Sequence, residues 1–422
     1  MSKLVIGAIG LVIVGLSVAL LLRQPAARFE RQIAWAGRGV WLKAETHVHT
    51  RFSDGGPIDA VVDQAVTHGC DVLAITDHSD GGLTAATPEY HAAIAAARGR
   101  APQMVVLTGI EWNVPPGKGQ DHAAVLFPPE LEDAALTGEF KEKFDDLNKE
   151  GENPELAVAA FQWLQGHANT ATGPVVMFLN HPSRRAPDVA TVHKQLSWLA
   201  EVSGGIFVGS EGAPGHQNAK PLGAYGGKLQ PEDRWDPAIA PPGGAWDQLL
   251  GAGTDLWGAL ATADFHGPGG DYWPCQFSAT WIYARERTVV AVLQALHAGS
   301  FVGVHGDIAR HVQFSLAADG LPRPAISGEM VRLPSGAPMT LELRATVPAT
   351  DWEGQPNHLD LVDIIGVTEG SATVLHSGPL VDGLLRYQTS VPAGGITIRA
   401  RGRRVIADGP DLMFYTNPIR VQ

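Results

Sequence analysis

Histidine and acidic side chains recur where apolar runs of this chain end. His47-Val48-His49 closes the run that starts at Val40, and Asp54 follows in Phe52-Ser53-Asp54-Gly55. His78 stands at the end of Asp71 to Thr76 in Thr76-Asp77-His78, Glu111 follows Met104 to Gly109, and His122 stands just ahead of Ala123 to Phe127. His181 directly follows Val175 to Asn180, and Asp264-Phe265-His266 follows the run from Trp257 to Ala263. Alternate residues of an extended chain point the same way, so His47 and His49 can converge on one ion. One histidine at a strand end, or one HxH, says little; the recurrence is the signal. Buried without partners such groups would each cost several kcal/mol, and metal ions supply the compensation. With no CxxC pair, the donors are imidazole and carboxylate, which suits zinc, manganese or iron and argues against copper(I) and iron–sulfur clusters. These donors exceed the needs of one ion. Two or three divalent ions are expected, with Glu111 as the bridge.

Something must bring these strand ends together. Extended runs at Val40 to Thr46, Asp71 to Thr76, Met104 to Gly109, Ala123 to Phe127, Val175 to Asn180, Gly205 to Gly209, Trp257 to Ala263 and Ala279 to Ala284 alternate with helical patterns. The helices are expected at Ile58 to His68, Pro88 to Arg98, Glu155 to His167 and Arg287 to Ala298. That alternation implies βαβ units and a parallel sheet, and repetition on this scale suggests a barrel. In a parallel barrel the strand C-termini open onto one face, so the ligands become neighbours. From about residue 311 the pattern changes to short strands (His311 to Leu316, Met339 to Val347, Leu359 to Val367, Leu384 to Val391 and Ile396 to Ala400), without a convincing helix. The expectation is an α/β, TIM-like barrel over 40–310 and a small C-terminal all-β sandwich over 311–422. Residues 213–248 are rich in Gly and Pro with little periodicity, and read as a functional lid or a poorly ordered excursion.

The ordered set resembles the polymerase and histidinol phosphatase (PHP) metallohydrolases: His47-Val-His49 with Phe52-Ser-Asp54-Gly, Ile75-Thr-Asp77-His78, Gly109-Ile-Glu111, His181-Pro182 and Asp264-Phe-His266. The resemblance covers roughly 42–310. It implies a two- or three-metal site on a distorted (β/α)7 barrel, where a metal-bridging hydroxide attacks a phosphorus or carbonyl centre. Amidohydrolase barrels also open with HxH, but a bridging lysine and a lone late aspartate are their pattern, not TDH and a late DxH. The segment Thr280 to Ala284, Ala295-Leu296-His297-Ala298-Gly299 and Thr416-Asn417-Pro418-Ile419 resemble a carbaryl-hydrolase-like branch with a β-rich C-terminal domain. That branch implies ester or carbamate cleavage as the alternative to a small phosphorylated substrate. A non-catalytic metal-binding ectodomain is the third reading.

Other residues have two readings each. Asp77 can orient His78 or move a proton, or else simply accept hydrogen bonds. Arg184 and Arg185 follow His181, where a guanidinium could meet an anionic substrate group. Glu211 and His216 follow the Gly205 to Gly209 strand and are candidates for contact with substrate. Trp112 and Trp273 are either pocket walls or core. No G-x-S-x-G elbow is evident, so no serine nucleophile is expected.

Charge narrows the partners. Across 422 residues, 31 Lys and Arg face 44 Asp and Glu, a net of −13, which disfavours nucleic-acid backbones and polybasic attachment to anionic lipid. The expected partner is a small molecule. Leu4 to Leu22 is unbroken apolar sequence between Lys3 and Arg23, long enough for a membrane anchor over residues 1–23, with the catalytic domain extracytoplasmic. Ala34-Trp35-Ala36 resembles a signal-peptidase site but lies far downstream. Cys70 and Cys275 read as small buried hydrophobes rather than a disulfide framework.

Overall fold

The computed structural model describes residues 26–168 and 172–422, so the segment expected as an anchor over residues 1–23 lies outside the described residues. Among the described residues no helix is long and apolar enough to cross a membrane. The first half runs β1 (Arg28–Arg31), β2 (Val40–Glu45), α1 (Ile58–Thr67), β3 (Val72–Ile75), α2 (Pro88–Arg100), β4 (Val105–Asn113) and β5 (His122–Leu126). It continues with α3 (Ala134–Phe144), α4 (Pro154–His167), β6 (Val176–Leu179), α5 (Val189–Val202), β7 (Phe207–Ala213), α6 (Ala245–Gly251), β8 (Trp257–Ala261), β9 (Ser278–Ala284), α7 (Val289–His297) and β10 (Phe301–His305).

Local chemistry explains these elements. Strands β3, β6 and β8 are buried along their whole length, as their unbroken apolar sequences require between two covered faces. Helix α1 buries Ile58, Val61, Val62 and Ala65, one stripe at helical spacing. It stops at Gly69, whose φ of +73° glycine adopts without strain; the cap closes with Cys70 N–H on the Ala65 carbonyl.

 Helix α2 starts at Pro88 behind Thr87, whose side chain accepts from Tyr90 N–H, and α5 starts behind Asp188, which accepts from Thr191 N–H.

The sheet is not uniformly parallel as expected. Strands β2, β3 and β4 pair in parallel, as do β6, β7 and β8, but β5 runs antiparallel to both of its neighbours. The link from β4 to β5 holds no helix, and without a crossover the next strand must run back. The reversal has a consequence for the site: His122, the first residue of β5, pairs with Asn113 at the C-terminal end of β4. Strand β9 adds antiparallel to β2, and β10 to β9. The ladder ends at β8, and side chains span the gap. Thr280 Oγ1 accepts from Ala261 N at 3.0 Å and donates to its carbonyl at 2.9 Å. Asn417 accepts from Ala259 N at 3.3 Å and donates to the Gly299 carbonyl at 3.1 Å. Thr280 and Asn417 thus form a structural clasp across the gap. The result is a mixed α/β fold with a curled sheet.

Helices α3, α5 and α6 were not anticipated. The loop between β7 and α6 is tied down: Gly226 and Gly227 donate to the Arg184 carbonyl at 2.9 and 3.0 Å, and Asp236 accepts from Ser183, Ala238 and Ile239. Cys70 and Cys275 form a disulfide across 205 residues, which corrects their reading as two separate apolar thiols.

The C-terminal strands are β11 (Arg310–Ala318), β12 (Ala325–Ile326), β13 (Met330–Arg332), β14 (Pro338–Thr346), β15 (Leu361–Thr368), β16 (Ser371–Gly378), β17 (Leu384–Ser390), β18 (Ile396–Arg404), β19 (Leu412–Thr416) and β20 (Ile419–Val421). Strands β12, β11, β14 and β17 form a four-stranded sheet. The others extend the curled sheet through the β10–β19 pairing. Val304, Phe314, Leu341, Ile364 and Phe414 belong to one buried cluster that joins these layers. Arg399 on β18 and Asp247 on α6 are fully buried partners at 2.7 Å.

Candidate metal centre

The expected ligands meet at one end of the curled sheet. His47, His49, Glu111 and Asp264 form a buried floor, each at most 1% exposed. His47 Nε2 lies 3.2 Å from Glu111 Oε1 and 3.2 Å from Asp264 Oδ1. His49 Nε2 lies 3.3 Å from Glu111 Oε2 and 3.4 Å from Asp264 Oδ1. Glu111 also meets His78 Nδ1 at 2.9 Å, His122 Nδ1 at 3.2 Å and His181 Nε2 at 3.5 Å. It is the hub of the cluster, as its expected bridging role requires. Toward solvent, Asp54 lies 3.7 Å from His78 and 3.4 Å from His266.

Among the described residues, four overlapping groups have donor atoms within 4.8 Å of one another: His49, Asp54, His78 and His266; His47, His49 and Asp264; His78, Glu111 and His122; and His216, Asp264 and His266. Shared members among groups suit several ions with bridging carboxylates. The donor set is imidazole and carboxylate throughout, and it fits divalent metal.

Hydrogen bonds behind the cluster fix which nitrogen faces it. Glu211 accepts from His47 Nδ1 at 2.7 Å, from His181 N at 2.6 Å and from Thr262 Oγ1 at 2.7 Å. This leaves His47 Nε2 for the centre. Ser53 Oγ donates to Asp77 at 2.6 Å and lies 3.2 Å from His49 Nδ1, which does the same for His49. Asp77 also accepts from Thr50 N and Thr50 Oγ1, each at 2.7 Å. Its carboxylate thus organises the His49–Ser53 turn. Glu211 likewise sits behind His47 and is fully buried, not on a substrate-facing wall.

The backbone is shaped for this convergence. His181, His216 and Asp264 have φ of 33°, 62° and 45°, in the sparsely populated left-handed region. Gly55 passes so close to His49 that a Cβ there would lie 2.2 Å from the His49 carbonyl oxygen. Only glycine allows Asp54 to be presented by so tight a turn.

Electrostatics follow from crowding. Burial opposes ionisation of Glu111, but His122, His47 and His78 hold its carboxyl well below the ordinary range. Burial also opposes ionisation of Asp264, and His47, His216 and Arg184 pull it well below. Both are anionic donors at neutral pH. Burial and the Arg184 cation keep His181 neutral, the form that ligates metal. Glu45, which shares a face with His47 and His49 at two-residue spacing, is pushed up to about 8 by burial. It accepts from His47 N and Ala263 N at 3.1 and 2.9 Å and so joins two motif segments.

Arg184 meets Asp264 Oδ2 at 2.8 Å, and His216 meets the same oxygen at 3.0 Å. His216 is backed by Asp271 at 2.7 Å. Both substrate candidates therefore border the cluster, whereas Arg185 points its guanidinium to the Gly119 carbonyl at 2.8 Å. Trp112 is fully buried and donates to the Phe144 carbonyl, so it is core; Trp273 stacks on Phe265. Sequence reasoning passed over Asn180, which donates to Glu111 Oε1 at 2.8 Å, as well as Ser53, Glu45 and Asp271. The two-residue spacing could have found Glu45; nothing local marks Asp271.

Residues 45–171 match the model of the PHP domain. The matched span holds His47 through His122 and ends ahead of His181, Asp264 and His266. No curated protein matches the sequence. Among solved structures, a two-domain protein of Bacteroides vulgatus, described as containing a predicted PHP-like metal-dependent phosphoesterase, is similar at 16% identity and a TM-score of 0.41, over 89% of this chain and 94% of that one.

Proposed function

We propose that this chain is a multinuclear metal-dependent hydrolase, acting as a phosphoesterase on a small phosphorylated substrate. The observation that carries the reading is Glu111, a buried carboxylate within 3.5 Å of His47, His49, His78, His122 and His181. The PHP match over 45–171 supports it. His47, His49, Asp54, His78, Glu111, His122, His181, Asp264 and His266 would hold two or three zinc, manganese or iron ions. Bound divalent ions lower the pKa of water toward neutrality and polarise the reacting oxygen. The chain's part is to keep Glu111 and Asp264 anionic, to aim Nε2 of His47 and His49, and to place the Arg184 cation beside Asp264.

The disulfide supports an extracytoplasmic domain, since such bonds persist in oxidising compartments. Cleavage after Ala36 would remove β1 and Trp35, which donates to the Tyr283 carbonyl at 2.7 Å, so the reading includes an uncleaved anchor. Alkylation of the two cysteines in whole cells, with and without reductant, tests the compartment; free thiols would sink it.

For the reaction, p-nitrophenol release from p-nitrophenyl phosphate and p-nitrophenyl acetate is compared after Mn²⁺ or Zn²⁺ addition, with Asp264→Ala as control. Metal-dependent phosphate cleavage lost in the variant is expected. Activity on acetate alone moves the protein to carboxylic ester or carbamate cleavage. Silence on both, in protein shown to hold metal, rejects the hydrolase reading for these ester classes.

A further inference from the structure

Two adjoining cavities lie beside the cluster, between the β4–β5 strap and helix α5. The inner one, about 190 Å³, is bordered by Asn180 and His181 and by Arg185. The outer one, about 490 Å³, has Pro115, Pro116 and Trp198 on its walls. Asp121, Thr191 and Gln195 border both, so the two spaces share one partition. Thr191, Gln195 and Trp198 fall at helical spacing on one face of α5. Asp121 on the strap and Gln195 on α5 both face this partition. A polar neck thus leads from a candidate metal ligand to a larger, mainly apolar trough. Ligand sites commonly combine such an apolar wall with a few placed polar groups.

We propose that this trough receives the apolar part of the substrate, a medium-chain alkyl group whose ester head lies at the metal cluster. The assignment of the head rests on the hydrolase reading above. Continuity with His181 argues for a substrate rather than an unrelated partner. The trough wall carries Lys194 as its cation, too little positive charge for a nucleotide or other multiply phosphorylated group. The Asp121–Gln195 pair is the place for a polar linker, and Trp198 is the apolar platform.

The test uses the full chain with Mn²⁺ or Zn²⁺. kcat/KM is measured for p-nitrophenyl methyl phosphate against p-nitrophenyl hexyl phosphate, and for p-nitrophenyl acetate against the hexanoate. In parallel, methyl and hexyl phosphate are titrated against tryptophan fluorescence. The expected result is about a tenfold or greater preference for the longer chain. Trp198→Ser should erase it while leaving the short substrate within about twofold. Thr191→Trp, which fills the trough without removing packing, should erase it as well. Turnover of short and long chains at equal kcat/KM overturns the proposal and leaves the hydrolase reading standing. If no ester is cleaved, tighter hexyl than methyl phosphate binding that depends on Trp198 upholds the trough and rejects the hydrolase reading. Equal binding of the two phosphates overturns the trough in either case.

Discussion

His47 and His305 are equally buried, both at 0% exposure, and both stand at the end of a strand of the same curled sheet. Their surroundings differ. His47 faces Glu111, Glu211 and Asp264, whose carboxylate oxygens lie 3.2, 2.7 and 3.2 Å from its ring nitrogens. His305 lies between Phe277 and Trp235, with ring centroids at 5.0 and 5.1 Å. Neither of its nitrogens has a hydrogen-bond partner among the described residues. Burial, helped by the Arg234 cation, keeps it neutral. Residue type and strand position thus do not make a ligand. The carboxylates that the topology brings beside the ring do. The His305 region instead belongs to the seam between the curled sheet and the C-terminal strands, where Trp352 also packs on Phe277.

The comparison can be broken in three ways. The largest effect is expected at the seam. Arg399→Ala would strand the buried Asp247 carboxylate, and breaking such a pair costs about 3–5 kcal/mol. Urea unfolding should show that loss while metal content per folded chain is unchanged; a fall in metal content would mean the two regions are coupled. Next is Ser53→Ala, which removes the link between His49 and Asp77. Loss of such a supporting contact weakens metal binding by about tenfold or more, as read by competition with a chelator. Unaltered affinity would show that the network behind the histidines is not what separates them from His305.

The smallest effect concerns pH. The folded-state pKa of His305 lies below its unfolded value of about 6.5, so the neutral ring's contribution is present above that pH and lost as pH falls toward the folded value. Below pH 6.5, wild-type stability should fall more steeply than that of His305→Phe, by up to about 1.4 kcal/mol per pH unit. Parallel stability curves for the two proteins would contradict the neutral, buried assignment.

Much of the site was legible because its donors sit at or near strand ends, and strand ends are visible as the close of apolar runs. His122 was found beside a strand, but only the reversal of β5 explains why the start of that strand meets the C-terminal ends of its neighbours. The roles of Asp77 and Glu211 were not legible. A carboxylate next to a ligand in sequence and one that supports a ligand in space look alike until the hydrogen bonds are known. Asp271, in a glycine-rich loop after His266, gave no periodic signal at all, although it holds His216 at 2.7 Å.

By itself the sequence determined the local terms: which runs could be buried strands, which turns needed glycine, and which side chains could ligate metal. These depend on neighbours within a few residues. The tertiary structure decided what depends on residues far apart in the chain. It paired Cys70 with Cys275, closed the gap beside β8 with Thr280 and Asn417, and put Glu111 among five histidines but His305 among aromatic rings. The physical reason is that a side chain's charge state and partners are set by its surroundings in space, which the chain acquires only on folding.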